Sequence, residues 1–434
     1  MGLFLPSGRH RPHGGGVAVT TAARSSALAA YGAVTAAYWA FMLSDGALRM
    51  LVLLHFDILG FSPIAIAWLF LLYEVAGIVT NLSAGWIAIR FGLTTTLYAG
   101  LGLQVGALVM LAGLDPQWSI AVSVAYVMLA QGLSGVAKDL TKMSSKSAVK
   151  LLAPAAEGGL FRWVAVLTGS KNAVKGAGFF VGAALLAGFG FRASIWAMAL
   201  VLLAILIASV TFMPPGLPRG KKGTKFGEIF SKDARINRLS AARMFLFGAR
   251  DVWFVVGIPV YFEAALSDGT PAGHRMAFFL VGAFMSIWVI AYGAVQAAAP
   301  KLLHATNRPE ADITALASHW VLILTAIPFA LAAVALFAGA PALWLTLTLA
   351  VGLLGFGYVF AINSSVHSYL ILAFTSAERV TMDVGFYYMS NAAGRLLGTL
   401  LSGVSYEVGG LPLCLATAGV LSGLSWLAVR KLGR

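Results

Sequence analysis

Nine charged residues interrupt long apolar runs of this chain at positions where charge is expensive. The cations are Arg49, Lys171, Lys175, Arg243, Arg250 and Arg395, and the acids are Asp45, Glu74 and Asp251, with Asp383 at the end of a run. A charge at the centre of a bilayer costs about 2.5–3.5 kcal/mol even on the mildest insertion scale, so it faces a cavity or a partner. Cations in that position suit an anionic ligand, and the acids suit charge pairing or proton carriage. Asp45 and Arg49 are four apart and share a helix face. They read either as a neutralised structural pair or as a cation held ready by an acid. Arg250 and Asp251 are adjacent, point about 100° apart on a helix, and need not pair. Asp251 is free to reach across toward Asp45. Lys171 and Lys175 share one face with no acid near in sequence, and Arg395 has none within its own run. Such uncompensated central cations point to an anionic ligand, with Arg49, Lys171, Lys175, Arg250 and Arg395 as its contacts.

Other polar residues have weaker claims. Asn363, Ser364, Ser365, His367 and Ser368 form a cluster near the inner end of one run. The cluster suits a packing network or a binding surface, and Asn363 and His367 join the candidate contacts. Lys138, Lys142, Lys146 and Lys150 repeat every fourth residue and read as a solvated inner rim. Gly178, Gly182, Gly398 and Gly403 read as sites of close helix approach. The single cysteine, Cys414, lies in an apolar run, so no disulfide framework and no thiolate metal site is expected. The one phosphate-loop lookalike, Gly216 to Lys222, is a residue short, contains Pro218 and lacks Ser or Thr after the lysine. No cofactor, metal or catalytic constellation is expected.

The elements that position these charges follow from composition. Of 434 residues, 59% are apolar and only 11% charged, and the mean hydropathy is +0.86. A soluble domain carries about 25% charged residues, so this chain has too few to cover a globule. The expectation is an all-α membrane protein with twelve spans, near 32–56, 62–86, 94–113, 118–137, 163–188, 193–213, 239–262, 276–299, 318–338, 342–366, 383–408 and 411–429. Residues 1–30 read as a flexible tail without a signal peptide, and 214–238 as a basic linker. The linker separates two six-span halves, 31–213 and 239–434. Spans 3, 6, 9 and 12 contain no Lys, Arg, Asp or Glu, as lipid-facing helices would.

The net charge of +14 follows the same topology. With the N-terminus inside, the inner segments hold about 22 of the 30 Lys and Arg. The outer loops hold Arg192 and Arg275 and carry Asp57, Asp115, Glu263, Asp268 and Glu407. Both termini are therefore expected in the cytoplasm, and the positive charge implies no nucleic acid.

The halves also resemble each other. Phe41, Asp45, Phe56 and Asp57 recur 206 positions later as Phe247, Asp251, Phe262 and Glu263. Gly132, Gly135, Ser144, Ser145, Ser170, Lys175, Gly178 and Gly190 recur 220 positions later as Gly352, Gly355, Ser364, Ser365, Ser390, Arg395, Gly398 and Gly410. Two six-helix halves in a parallel repeat, related by a pseudo-two-fold axis, is the major facilitator arrangement, with its site at the midplane between them.

Six runs carry a more specific resemblance: YWAFMLSDGALRMLVLLHF (38–56), SGVAKDLTKMSSKSAVK (134–150), LTGSKNAVKGAGFFVG (167–182), SAARMFLFGARDVWFVV (240–256), NSSVHSYLI (363–371) and DVGFYYMSNAAGRLLGTLLSG (383–403). From about residue 30 to the C-terminus the chain resembles the ArsJ organoarsenical efflux permeases of the major facilitator superfamily. The resemblance implies export of 1-arseno-3-phosphoglycerate, the product made when glyceraldehyde-3-phosphate dehydrogenase uses arsenate in place of phosphate. It also implies arsenate resistance, a bacterial inner (cytoplasmic) membrane and a functional link to that dehydrogenase. Arg49 and Arg250 are similar in placement to the helix 1 and helix 7 arginines of the superfamily's organophosphate antiporters. One loop departs from the superfamily pattern: Gly85 is followed by Ile89 and Arg90, so the usual latch between helices 2 and 3 lacks its acid.

A pentavalent arsenate ester is an oxyanion and needs Arg, Lys, hydroxyl and amide donors rather than thiolates. The expected activity is secondary transport by alternating access, in a monomer. An organophosphate or phosphate antiporter would use the same cations and is the alternative. Asp45, Glu74 and Asp251 are candidate proton carriers.

Overall fold

The computed structural model describes residues 21–152, 159–213, 231, 233–303, 310–375 and 380–432. The segment 1–20 and most of the expected linker lie outside them. The described chain consists of helices: α1 (Thr21–Ile58), α2 (Pro63–Leu69), α3 (Leu71–Phe91), α4 (Leu93–Ala112), α5 (Ile120–Leu152), α6 (Gly159–Phe212), α7 (Ala234–Val252), α8 (Ile258–Leu266), α9 (Pro271–Leu302), α10 (Glu310–Ala338), α11 (Leu343–Phe374) and α12 (Val380–Val429). A π-helical turn, Trp253–Gly257, joins α7 to α8. Among the described residues, ten helical stretches are long and apolar enough to cross a membrane.

Two helix starts differ from expectation. Helix α1 begins at Thr21, inside the expected tail, because Ala22, Ala23, Ala27, Ala29 and Ala30 make that stretch strongly helix-forming. Helix α7 begins at Ala234 because Asp233 caps it, its Oδ1 accepting from the Arg235 amide at 2.7 Å.

Two of the ten stretches, Ser170–Phe212 and Gly385–Val429, run 43 and 45 residues, about twice what one crossing needs. Each is broken once. Gly190 has φ 73° and ψ 178°, and Gly409 and Gly410 have φ −142° and 61°. A positive φ in a helix interior requires glycine. The breaks fall where the sequence separates spans 5 from 6 and 11 from 12, and Gly190 and Gly410 are mates in the 220-residue repeat.

The outward faces suit lipid. Leu200, Val201, Ile207 and Phe212 on α6, and Leu336 and Phe337 on α10, are exposed, on stretches expected to be free of charge. Large exposed apolar faces of this kind are the surface that a bilayer covers.

The interior is set by backbones that touch. A Cβ on Gly178 of α6 would lie 2.5 Å from the Leu43 carbonyl oxygen of α1, and one on Gly46 would lie 2.5 Å from the Lys175 carbonyl oxygen. In the second half, a Cβ on Gly398 of α12 would lie 2.5 Å from the Gly248 carbonyl oxygen and 2.8 Å from the Asp251 Cβ. These approaches press α1 on α6 and α7 on α12. They bring Asp45 beside Lys175 and Asp251 beside Arg395.

Where Pro259 has no N–H to give and its ring crowds the preceding turn, the helix widens to the π turn. The Ser402 hydroxyl oxygen accepts from the amides of Val256 and Gly257, both at 3.2 Å, and holds that turn to α12. Trp253, Trp288 and Phe356 pack edge to face against it, with centroids 5.3 and 5.5 Å from Trp253. This aromatic wedge fixes the end of α7 that bears Arg250 and Asp251.

Substituting Gly178→Val is expected to lower stability by about 1–3 kcal/mol, since the added methyls meet backbone rather than a movable side chain. Gly106→Ala on α4, where a Cβ meets nothing within 4 Å, is expected to leave it unchanged or raise it by up to about 1 kcal/mol. Thermal unfolding in detergent compares the two.

Candidate functional site

The site is a chain of ion pairs where the first half of the sequence meets the second. Asp45 on α1 accepts from the Lys175 ammonium of α6 at 2.7 Å through Oδ2, and from the Tyr73 hydroxyl of α3 at 2.6 Å through Oδ1. Arg49, one turn further along α1, reaches Glu74 of α3, with Nη1 3.3 Å from Oε1. The same Glu74 oxygen takes Nη2 of Arg395 from α12 at 2.5 Å. Arg395 Nε lies 3.4 Å from Asp251 Oδ2 on α7, and Asp251 Oδ1 accepts from Arg250 Nε at 2.6 Å.

Exposure separates the two kinds of charge. The carboxylates retain 1–2% of their side-chain surface, while Arg49, Lys175, Arg250 and Arg395 retain 11–18%. The acids are sealed in helix contacts and the cations face outward from them. Aromatic faces frame the cations: the Arg49 guanidinium lies 5.0 Å from the Phe70 ring centroid and that of Arg250 lies 4.8 Å from Phe247. A layer of cations backed by buried carboxylates and walled by rings presents N–H donors with one positive charge left in excess.

Several sequence expectations change here. Asp45 and Arg49 share a face but do not pair with each other; each takes a partner from another helix. Lys175 and Arg395, expected to lack acids, have Asp45 for the one and Glu74 and Asp251 for the other. Pairing across helices is invisible to sequence proximity. Arg250 and Asp251 do pair, because the long arginine side chain folds back over the 100° between them. Asp251 meets Arg250 and, across the helix pair, Arg395, whose guanidinium also lies 6.0 Å from the ring of Tyr73, the partner of Asp45.

The lysine stripe of α5 is also not a solvated rim over its described part. Lys142 Nζ lies 2.5 Å from Asp139 Oδ1 and 2.6 Å from Asn81 Oδ1, and Lys138 is buried with its ammonium 3.9 Å from the Tyr73 ring centroid. The side chains of Lys146, Lys150, Ile89 and Arg90 lie outside the described residues. Lys171 is half-buried one turn from Lys175. Asn363 and His367 are buried on α11 and take no part in the ion pairs.

Two contributors escaped the sequence reading. Tyr73 fixes Asp45 and stacks beneath Lys138, and nothing in its local sequence distinguishes it from a core tyrosine. Asp139 is buried between Lys138 and Lys142, with the Thr80 hydroxyl donating to it at 2.7 Å. An acid set inside a lysine stripe was a legible signal.

The repeat organises the network. Asp45 and Asp251 are mates at 206 residues, Lys175 and Arg395 are mates at 220, and each half joins its own acid to its own cation. Arg49, Glu74 and Arg250 have no charged mates and are additions to that scheme. Glu74 links the halves, because it belongs to the first and holds Arg395 of the second.

No model of a known protein family matches the sequence, and no curated protein does. Solved structures do match in fold. The nucleoside transporter NupG, crystallised as a point mutant, aligns over 94% of this chain and 98% of its own, with a TM-score of 0.71 at 16% identity. A bacterial homologue of the iron transporter ferroportin, in an inward-facing state, aligns over 94% and 99% with a TM-score of 0.67 at 12% identity. The chain is thus a multi-pass membrane protein, helical over its described residues, with the fold of these two transporters.

Replacing one member of a buried pair strands the other. Asp45→Asn is expected to lower stability by about 3–5 kcal/mol, by leaving the Lys175 charge uncompensated. The double change Asp45→Asn with Lys175→Gln is expected to recover part of that loss. A double-mutant cycle by denaturation measures the coupling, and strict additivity would contradict the pair.

Proposed function

We propose that this chain is a secondary transporter that exports an anionic ester from the cytoplasm, and that the ester is the organoarsenical 1-arseno-3-phosphoglycerate. The observation that carries the reading is the charge balance of the central network, where four cations share three carboxylates and the cations hold the more exposed positions. The fold supports transport, and the resemblance of the six sequence runs supports the cargo. The glycine breaks at Gly190 and Gly409–Gly410 support twelve crossings in two six-helix bundles, and the bias of Lys and Arg to the inner segments together with the resemblance supports cytoplasmic termini in a bacterial inner membrane.

In this reading the oxyanion enters between the halves and takes N–H donors from Arg49, Lys175, Arg250 and Arg395, with Lys171 one turn away. It competes with Glu74 for Arg395 and Arg49. Glu74 is the carboxylate whose ion pairs link the halves, so its displacement loosens one against the other. Asp45, Glu74 and Asp251 are placed to accept protons as the cations turn to the cargo. Asn363 and His367 are buried on α11 and stay outside this set of direct contacts.

No nucleotide motif is present to drive the cycle, and the membrane potential suffices. A potential of 100 mV, negative inside, favours anion exit by about 2.3 kcal/mol per charge, so a cargo with two or three charges gains about 5–7 kcal/mol. The dehydrogenase that makes the cargo supplies it, and the protein acts as a monomer.

Everted vesicles at clamped potential, with glyceraldehyde-3-phosphate dehydrogenase, its substrates and arsenate outside, test this directly. Arsenic is expected to accumulate inside with a rate that rises with the potential. Arg395→Gln or Lys175→Gln is expected to cut that rate at least about tenfold. Accumulation that ignores both substitutions would remove the proposed site. Uptake of 3-phosphoglycerate in place of the arsenic compound would make the cargo an organophosphate.

A further inference from the structure

A second buried cation stands apart from the central network. Arg243 lies on α7 two turns before Arg250, about 10 Å toward the cytoplasmic end. Its side chain is buried, with 4% of the residue's surface exposed. Nη1 donates to the Ser364 carbonyl and to the Ser364 hydroxyl oxygen on α11, both at 3.0 Å. Nε, equally buried, has no hydrogen-bond partner. The guanidinium carbon lies 4.1 Å from the Phe247 ring centroid and 5.0 Å from that of Tyr387. Among the described residues, no carboxylate forms an ion pair with it. The four central cations each have one.

His367 lies one turn beyond Ser364 on the same face of α11 and within electrostatic reach of Arg243. It is fully buried, and neither ring nitrogen has a partner. A neutral imidazole still carries one N–H that needs an acceptor. The neighbourhood therefore holds a whole positive charge and at least two unpartnered N–H groups. Rings and one serine do not offset the desolvation of a guanidinium, which an opposite charge does.

We propose that Arg243, Ser364 and His367 form a second binding site, separate from the central network, for a small inorganic anion of the chloride class. A single charge neutralises the single guanidinium. A spherical ion accepts from Arg243 Nε and the His367 ring without the directional demands of an ester. The site is wired to the seam between the halves: Gln296 of α9 donates to the Ser364 hydroxyl at 3.2 Å and accepts from Asn172 of α6 at 3.4 Å. Occupancy therefore bears on the contact that has to open when the halves move. The same Phe247 ring lies 4.8 Å from Arg250, so one aromatic face separates this anion from the central cations.

The test is thermal unfolding of the purified full chain in detergent, read by a thiol-reactive dye on Cys414, the one cysteine and a buried one. Chloride is titrated against gluconate at constant ionic strength and pH. The expected result is a saturable rise of a few degrees with chloride, retained in Arg395→Gln and lost in Arg243→Met. His367→Phe, which keeps the charge but removes one donor, is expected to raise the half-saturating chloride concentration at least about threefold. It serves as the test where Arg243→Met fails to fold. Equal midpoints in chloride and gluconate, or a full response in Arg243→Met or His367→Phe, would overturn the proposal in favour of water. A response lost in Arg395→Gln but kept in Arg243→Met would place the anion in the central network and overturn it as well. None of these outcomes depends on which ester is the cargo.

Discussion

One oxygen of Glu74 joins the two halves of this molecule. Oε1 takes Arg49 from α1 and Arg395 from α12, while Oε2 is buried without a partner. In a medium where an unpaired charge costs several kcal/mol, that shared oxygen binds the halves only while nothing better is offered to the arginines. On the proposed reading, a dianionic cargo is that better offer. If that proposal holds, the interaction that ties the halves together is the one the anion exchanges, and binding and loosening are a single event.

The rest of the architecture keeps these charges where they pair. Close backbone approach at Gly46, Gly178 and Gly398 sets the separation of α1 from α6 and of α7 from α12. The acid and cation of each half then meet without stretching. The π turn after Asp251, pinned by Ser402 and wedged by Trp253, Trp288 and Phe356, fixes the rotation of the segment that bears Arg250. Packing stiffness and electrostatics thus act on the same residues. A charged network that slackened by an ångström would lose its hydrogen-bond geometry and about a fifth of its Coulomb attraction.

The internal repeat explains what is shared and what is added. Asp45 with Lys175 and Asp251 with Arg395 are one device used twice. Arg49, Glu74 and Arg250 break the symmetry, and they supply the cross-link and the surplus charge. A symmetric site would hold two halves alike. A symmetry-breaking carboxylate gives the two halves an ion pair that the repeat alone does not supply.

Composition alone determined that the chain belongs in a membrane, because 11% charged residues leave too little polar surface for water. The same holds for the lipid-facing stretches and for the positions of Gly190 and Gly410, since period, charge-free runs and glycine chemistry are local properties. The identities of most central charges were also legible, because an ionisable residue inside an apolar run is conspicuous. Their partners were not. Lys175 with Asp45, and Arg395 with Glu74, are separated by 130 and 321 residues, and no local rule connects such positions. The burial of Lys138, the role of Tyr73 and the isolation of Arg243 likewise depend on which helix faces which. Pairing of charges is a property of three-dimensional proximity in a low dielectric, so only the tertiary structure decides it.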